Sequence, residues 1–201
     1  MEYKITRSVA FFGPAGAGKT TLADGLARFY SAPVLSFAAP IKIQYALDKN
    51  ININLLRNPN TKNKYRLDLQ RYGDELRAAN PSFLVDKLLA DFDRQYGFGT
   101  RIFFVDDVRL PDEYQVLKDR GFLMVRVEGN KSTLTAEQQA HGTEAHWMKF
   151  VADFEVPWIA PLTNSYWHKQ LSIYRRMALL YKWLDPAVAH NMEQESRKHD
   201  K

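Results

Sequence analysis

The sequence predicts an α/β fold, a mostly parallel β-sheet with helices on both faces, and three observations carry that expectation. Short apolar runs alternate with longer amphipathic stretches along most of the 201 residues. The first run, Ser8 to Phe12, breaks into glycines and small residues and resumes as a helical pattern. A later run, Arg101 to Val105, ends in the acid pair Asp106–Asp107, as a central parallel strand does where it opens onto a site.

The first observation is the most specific. Gly13 to Thr20 reads G-x-x-x-x-G-K-T, with a strand pattern before it and Leu22, Leu26 and Phe29 on one helical face after it. Glycines let successive backbone N–H groups turn inward around a phosphate, and the helix N-terminus adds its positive end. Gly13, Ala15, Gly16, Ala17, Gly18, Lys19, Thr20 and Thr21 are therefore the expected nucleotide-binding residues of a P-loop NTPase fold. Lys19 supplies a point charge for the β/γ-phosphates, and the Thr20 hydroxyl offers a ligand to Mg²⁺. ATP and Mg²⁺ are the expected cofactors.

Further along, Pro33 to Phe37 reads as a second short strand. Pro40 suits the first turn of a helix running through Leu47. About residues 50 to 64, Asn-rich and broken by Pro59, the pattern suggests a mobile insertion. Two helices are expected between Tyr65 and Phe92, parted by Ala79-Asn80-Pro81-Ser82, with Asn80 or Ser82 as a cap. Pro111 to Arg120 reads as a helix stopped by Gly121, and Phe122 to Val127 as the next strand. About residues 129 to 146 are polar and without apolar periodicity, which suggests a lid-like segment. Asp153 to Pro157 reads as an edge strand. A C-terminal helix is expected at about 166 to 184, apolar over a wide arc, followed by a frayed tail at 191 to 201. That helix suits a cap on the core and leaves room for a homodimer. Residues 1 to 201 read as one domain, without repeats or a linker.

Composition removes several classes of function. There are no cysteines, so disulfides and thiolate metal sites are excluded, and the five histidines are scattered. No apolar leader or membrane-length run is present, so a soluble, cytoplasmic protein with no membrane partner is expected. The net charge is +5 and the pI about 9.3. The basic residues form no compact block, so stable nucleic-acid binding is not expected, whereas a site for anions is.

A P-loop protein needs a second carboxylate at the end of an apolar strand to help hold Mg²⁺, and Asp106 and Asp107 are the candidates. A small-molecule kinase also needs cations for its second substrate. Lys42, Arg66, Arg71, Arg77, Arg109 and Arg126 stand at or near predicted element ends and exceed what ATP alone requires.

Four segments in order give a resemblance: the P-loop at 13–21, Ser36-Phe37-Ala38-Ala39-Pro40-Ile41-Lys42, Leu69-Gln70-Arg71-Tyr72-Gly73-Asp74-Glu75-Leu76-Arg77, and Val105-Asp106-Asp107-Val108-Arg109-Leu110-Pro111-Asp112-Glu113. A fifth is His141-Gly142-Thr143-Glu144. Over about residues 8 to 156 the chain resembles the phage-type deoxynucleoside monophosphate kinases. It departs from their pattern at Ala39, Asp112 and Thr143, where the family has an acid, Asn and Ser.

The resemblance implies that Lys19, Asp107, Arg109 and Arg126 serve the phosphoryl transfer, with Thr20 and Asp107 at the metal. Arg109 would stabilise charge on the phosphoryl or hold the acceptor phosphate, and Arg126 or Lys131 would reach the phosphates on closure. Lys42, Arg66, Gln70 and Arg77 would line the monophosphate site, Gln70 reading a base edge and Phe37, Tyr72 and Phe83 stacking on the base. His141 and Glu144, with Lys131 near them, would belong to a closing lid. The implied reaction is phosphoryl transfer from ATP to a deoxynucleoside monophosphate (dNMP), in a host cytoplasm if the protein is viral. Two other readings stay open: a P-loop kinase of another small phosphate acceptor, and a nucleic-acid-stimulated ATPase accessory.

Overall fold

A computed structural model describes residues 7–58, 61–129, 146–161 and 166–184. The apolar run before the glycine-rich segment forms β1 (Val9–Phe12), which is buried throughout, and α1 (Lys19–Tyr30) follows the loop. Then come β2 (Val34–Leu35), α2 (Ala38–Asp48), α3 (Ile53–Arg57), α4 (Arg66–Ala79) and α5 (Phe83–Gly97). β3 (Phe104–Val108), α6 (Pro111–Asp119), β4 (Leu123–Val127), β5 (Phe154–Val156) and α7 (Tyr166–Leu184) complete the described strands and α-helices.

The five strands are all parallel, in the order β2-β3-β1-β4-β5, so β1 is central and β5 lies at an edge as expected. β1 is flanked by β3 on one side and β4 on the other. That reversal of strand order opens a crevice at the carboxyl ends of the strands, where the glycine-rich loop leaves β1.

The pleat divides the core in two. Val9 and Phe11, with Phe104 and Val125, face Leu22 and Leu26 of α1 and Met177, Leu180 and Tyr181 of α7. Ala10 and Phe12, with Phe103, Val105 and Met124, face Ile41 of α2, Leu84 and Leu88 of α5, and Leu117 of α6. Successive residues of a strand point to opposite faces, so both layers can be read along one strand.

The stretch at 50–64, expected as a loop, holds α3 and a 3₁₀ turn at Lys62–Tyr65. The Asn52 side chain accepts a hydrogen bond from the Asn54 backbone N–H (2.9 Å) and starts α3. Leu56 is buried against Tyr45 and Ala46 of α2. Leu56, with Ile53 packed beside it and a good cap, makes a short helix where composition suggests none. At the α4–α5 junction, the Asn80 side chain accepts from the Ser82 backbone N–H (3.2 Å) and hydroxyl (3.1 Å), while the same hydroxyl reaches Asp86 (2.5 Å). Residues 130–145 and 191–201, where the lid-like segment and the frayed tail are expected, lie outside the described residues apart from the segment's two ends.

The loop is seated tightly on the sheet. Gly13 has φ +132°, and a Cβ added there would stand 2.3 Å from the Val127 carbonyl oxygen of β4. That obstacle is backbone in a central sheet and cannot swing away. Gly13→Ala is therefore expected to lower stability by about 2 kcal/mol or more. A fall in the thermal midpoint without nucleotide checks this, and an unchanged midpoint counts against the packing described.

Candidate active site

A cavity of about 460 Å³ opens beyond the carboxyl ends of β1 and β3. The P-loop forms one wall through Ala15, Gly16, Gly18, Lys19, Thr20 and Thr21. Another comes from Ser36, Phe37, Ala38, Ile41 and Lys42 around the start of α2, and Arg66, Gln70 and Arg77 of α4 form a third. Asp106, Asp107, Arg109, Leu110 and Glu113 complete it from the end of β3 and the start of α6.

Gly16 and Gly18 take positive φ, 78° and 91°, which places the loop in the turned conformation that a ring of inward N–H groups needs. Lys19 is only 8% exposed. Its ammonium donates to the carbonyls of Gly13 and Pro14, both at 2.8 Å, so the charge is held inside the loop. Gly13 and Ala17 do not line the cavity: Gly13 contributes its carbonyl to Lys19, and Ala17 is buried beneath the loop.

The two aspartates turn to different helices, at the point where the register of β3 against β1 shifts. Asp106 turns toward α1, and its Oδ2 accepts the Thr20 hydroxyl at 2.6 Å. Burial, and secondly the Asp107 charge, push its carboxyl up to about 6. Asp107 turns toward α2. It accepts the Phe37 N–H through Oδ1 (2.9 Å), and the Ala38 N–H (2.8 Å) and Ser36 hydroxyl (2.6 Å) through Oδ2. The resemblance pairs Asp107 with Thr20 at the metal. The carboxylate that meets Thr20 is Asp106, and Asp107 anchors the N-terminus of α2.

Thr20 and Asp106 suit Mg²⁺, a hard cation bound by oxygens. Asp106 Oδ1 is buried and has no hydrogen-bond partner among the described residues. A buried carboxylate oxygen left unsatisfied is costly, and a hydrated cation would relieve it.

Glu113, to which the sequence assigns no role, is 4% exposed. Its Oε2 accepts from the backbone N–H groups of Arg109 (2.8 Å) and Leu110 (3.0 Å), which caps α6 and fixes where Arg109 leaves the strand. Burial, then the Asp107 charge, push its carboxyl up to about 8. A raised folded-state value means the protonated form is favoured on folding. Its stability contribution is full below the ordinary carboxyl range and is lost as pH rises through about 8. Glu113→Gln keeps an acceptor for both N–H groups, so the variant is expected to lose less stability than the parent between pH 5 and 8. Melting curves at the two pH values check it, and identical slopes would refute it.

Lys42, Arg66, Gln70, Arg77 and Arg109 all line the cavity. Arg77 also pairs with Asp74 at 2.5 Å within α4. Both amide atoms of Gln70 are buried and lack a hydrogen-bond partner among the described residues. Phe37 borders the cavity yet is 2% exposed, as part of the core.

Besides Gly13 and Ala17, the candidates Arg71, Tyr72, Phe83 and Arg126 are not among the lining. Tyr72 bonds Asp48 through its hydroxyl and packs edge-on against Tyr45, because its position on α4 faces α2. Phe83 packs against the core with Lys87 over its ring, and its neighbour Leu84 lines the cavity instead. Arg126 pairs with Glu155 at 2.7 Å, donates to the Phe150 carbonyl at 2.8 Å and stacks over Phe12. As a mid-sheet residue of β4 its side chain is spent on the neighbouring edge strand. His141, Glu144 and Lys131 lie outside the described residues.

One residue next to the loop is not among the candidates that the sequence offers. Arg176 of α7 is buried and donates to the carbonyls of Ala17 (2.7 Å) and Glu128 (2.6 Å). The available signal was an arginine inside the apolar arc of that helix, beside Ile173, Met177 and Leu180.

A family model described as phosphomevalonate kinase matches residues 11–122, from within β1 through α6. That span holds the P-loop, both aspartates and every lining residue named above. No curated protein matches the chain in sequence. Among solved structures, a shikimate kinase from Bacteroides thetaiotaomicron is similar at 14% identity and TM-score 0.38, with 87% of this chain and 98% of that one covered. A gluconokinase from Sinorhizobium meliloti 1021 is similar at 13% identity and TM-score 0.37, with 89% of this chain and 97% of that one covered.

Proposed function

The chain belongs to the phosphomevalonate kinase family, as a P-loop small-molecule kinase, and from that premise we propose that it transfers the γ-phosphoryl group of ATP to a phosphate monoester, with a dNMP as the acceptor. The observation that carries the reading is the joining of two anion sites in one cavity. Lys19, Thr20 and the loop amides stand on one side, and Lys42, Arg66, Arg77 and Arg109 on the other. Triphosphate binding alone needs only the first set. A phosphorylated acceptor gives the second set its use.

Gln70 supports a nucleotide as the acceptor. Its buried amide offers a donor and an acceptor side by side, and a base edge presents the complement of both. The acceptor phosphate is already a nucleophile, so no strong base is required. Alignment, charge neutralisation and exclusion of water then carry the catalysis. In this reading Lys19 stabilises charge on the transferred group and Arg109 holds the acceptor phosphate toward it. Asp107 and Glu113 keep α2 and Arg109 in position. Thr20 and Asp106 would hold Mg²⁺, which when bound neutralises charge on the phosphate oxygens.

A phosphorylated carboxylic acid of the phosphomevalonate kind is the second reading, favoured by the family match itself. The test is a coupled ADP-release assay with ATP and Mg²⁺ against dNMPs, NMPs and phosphomevalonate, with products identified by chromatography. Formation of a dNDP is the expected result. Transfer to phosphomevalonate alone would replace the acceptor and keep the reaction. ATP hydrolysis stimulated by DNA, without transfer, would overturn the kinase reading.

A further inference from the structure

The fold ties its C-terminal helix to the phosphate loop through one side chain. α7 lies beyond the span matched by the family, yet it packs across α1 closely enough that a Cβ on Gly25 would stand 2.5 Å from the Met177 methyl. From this helix the Arg176 guanidinium reaches the loop with a fork of bonds to the Ala17 and Glu128 carbonyls. It also stacks over the Trp158 ring, 5.4 Å from its centroid, in the segment between β5 and α7. A guanidinium 3% exposed and bound to backbone carbonyls rather than to a carboxylate is an expensive arrangement. Core packing alone would be served as well by Met or Leu.

The geometry of the peptide explains its use. In a trans peptide the carbonyl and the next N–H point in opposite directions. The Ala17 carbonyl, held outward by Arg176, therefore aims the Gly18 N–H back toward the phosphate side of the loop. Gly18 has φ +91°, a conformation in which a glycine rotates freely unless its flanking peptide is restrained. The second arm, on Glu128, fixes the loop to the exit of β4. There a Cβ on Gly129 would meet Ala17 and Pro14 at 3.2 Å.

We propose that Arg176 is a positioning residue for the nucleotide: it holds the P-loop peptide at Ala17–Gly18 in its anion-binding orientation and so makes α7 part of the ATP site. The proposal rests on the P-loop reading and not on the identity of the acceptor.

The test uses the full chain as wild type, Arg176→Lys, Arg176→Ala and Ser172→Ala. Ser172 also anchors α7, through a hydrogen bond to the Ile159 carbonyl, without touching the loop. Binding of ATP with Mg²⁺ is measured by calorimetry, and steady-state rates are measured with each substrate varied. Loss of two charge-assisted hydrogen bonds is expected to weaken ATP binding about tenfold or more in Arg176→Ala. Arg176→Lys should lie between it and wild type, the acceptor KM should stay unchanged, and millimolar guanidinium should restore ATP affinity to Arg176→Ala. Ser172→Ala should lower the melting temperature and leave ATP affinity as it was. Wild-type ATP affinity in both Arg176 variants would overturn the proposal, as would an equal loss in Ser172→Ala. If wild type itself bound no ATP, the P-loop reading would fall first, a result distinguishable from either.

Discussion

Replacing Lys19 by alanine lowers turnover by about two to three orders of magnitude and leaves the chain folded. The ammonium is held among loop carbonyls 2.8 Å away, at the floor of the cavity, and charge that develops on a transferred phosphoryl has no other lysine on the P-loop. Preorganised charge in a partly dry site costs no reorganisation at the moment of transfer, which is why its removal acts on rate. The same change withdraws two hydrogen bonds from the Gly13 and Pro14 carbonyls. Those are worth about 1.5–3 kcal/mol each at most, against a typical domain stability of about 5–15 kcal/mol, and water replaces the lost donor at an open cavity. Initial rates of ADP formation, with a circular dichroism spectrum for each protein, check both halves. Turnover near that of the parent would remove Lys19 from the site.

The second large effect separates the paired acids. Asp106→Asn is expected to lower turnover by about 10²–10³-fold and to raise the Mg²⁺ concentration needed for half-maximal rate. The amide oxygen can still accept the Thr20 hydroxyl, so the local structure is retained and only the charge goes. Burial raises the Asp106 carboxyl to about 6, so its ionised form costs stability at neutral pH. The parent's stability falls as pH rises through about 6, and the asparagine variant escapes that fall. It should therefore melt at or above the parent temperature at pH 7.5, with the advantage vanishing below about pH 4.

Asp107→Asn behaves differently. One of its oxygens becomes a donor facing the donors of Ser36, Phe37 and Ala38, which loosens the start of α2 where Lys42 lines the cavity. The acceptor KM rises more than kcat falls, and the Mg²⁺ requirement is unchanged. A Mg²⁺ phenotype in Asp107→Asn and none in Asp106→Asn would reverse the assignment.

That pair shows how far a sequence carries a site and where it stops. Two adjacent acids at the end of an apolar strand announce a site, but the register of β3 against β1 shifts at this pair, so period-two alternation is not enough to place them. It also omits which helix covers which face. α1 lies over the Phe104 side and α2 and α5 over the Phe103 side, and the folded chain gives Asp106 to Thr20 and Asp107 to α2. Tyr72, Phe83 and Arg126 went astray for a related reason. Each has chemistry suited to a nucleotide site, but an arginine or aromatic ring is used as readily by a neighbouring strand or helix. Arg126 found Glu155, and Tyr72 found Asp48.

By itself the amino-acid sequence determined the α/β class, the bounds of most elements within a few residues, and the nucleotide loop. Those features are local: apolar periodicity, glycines at positive φ, and a lysine and threonine at fixed spacing express themselves within a few residues of where they are written. Only the tertiary structure decided that Gln70 would line the cavity with both amide atoms buried and without a hydrogen-bond partner among the described residues, or that Glu113 would stand behind Arg109. It alone brought Arg176, 159 residues along the chain, to the Ala17 carbonyl. Such contacts depend on how helices cross and which side chains remain when the core is filled, and no spacing along a single strand or helix encodes that.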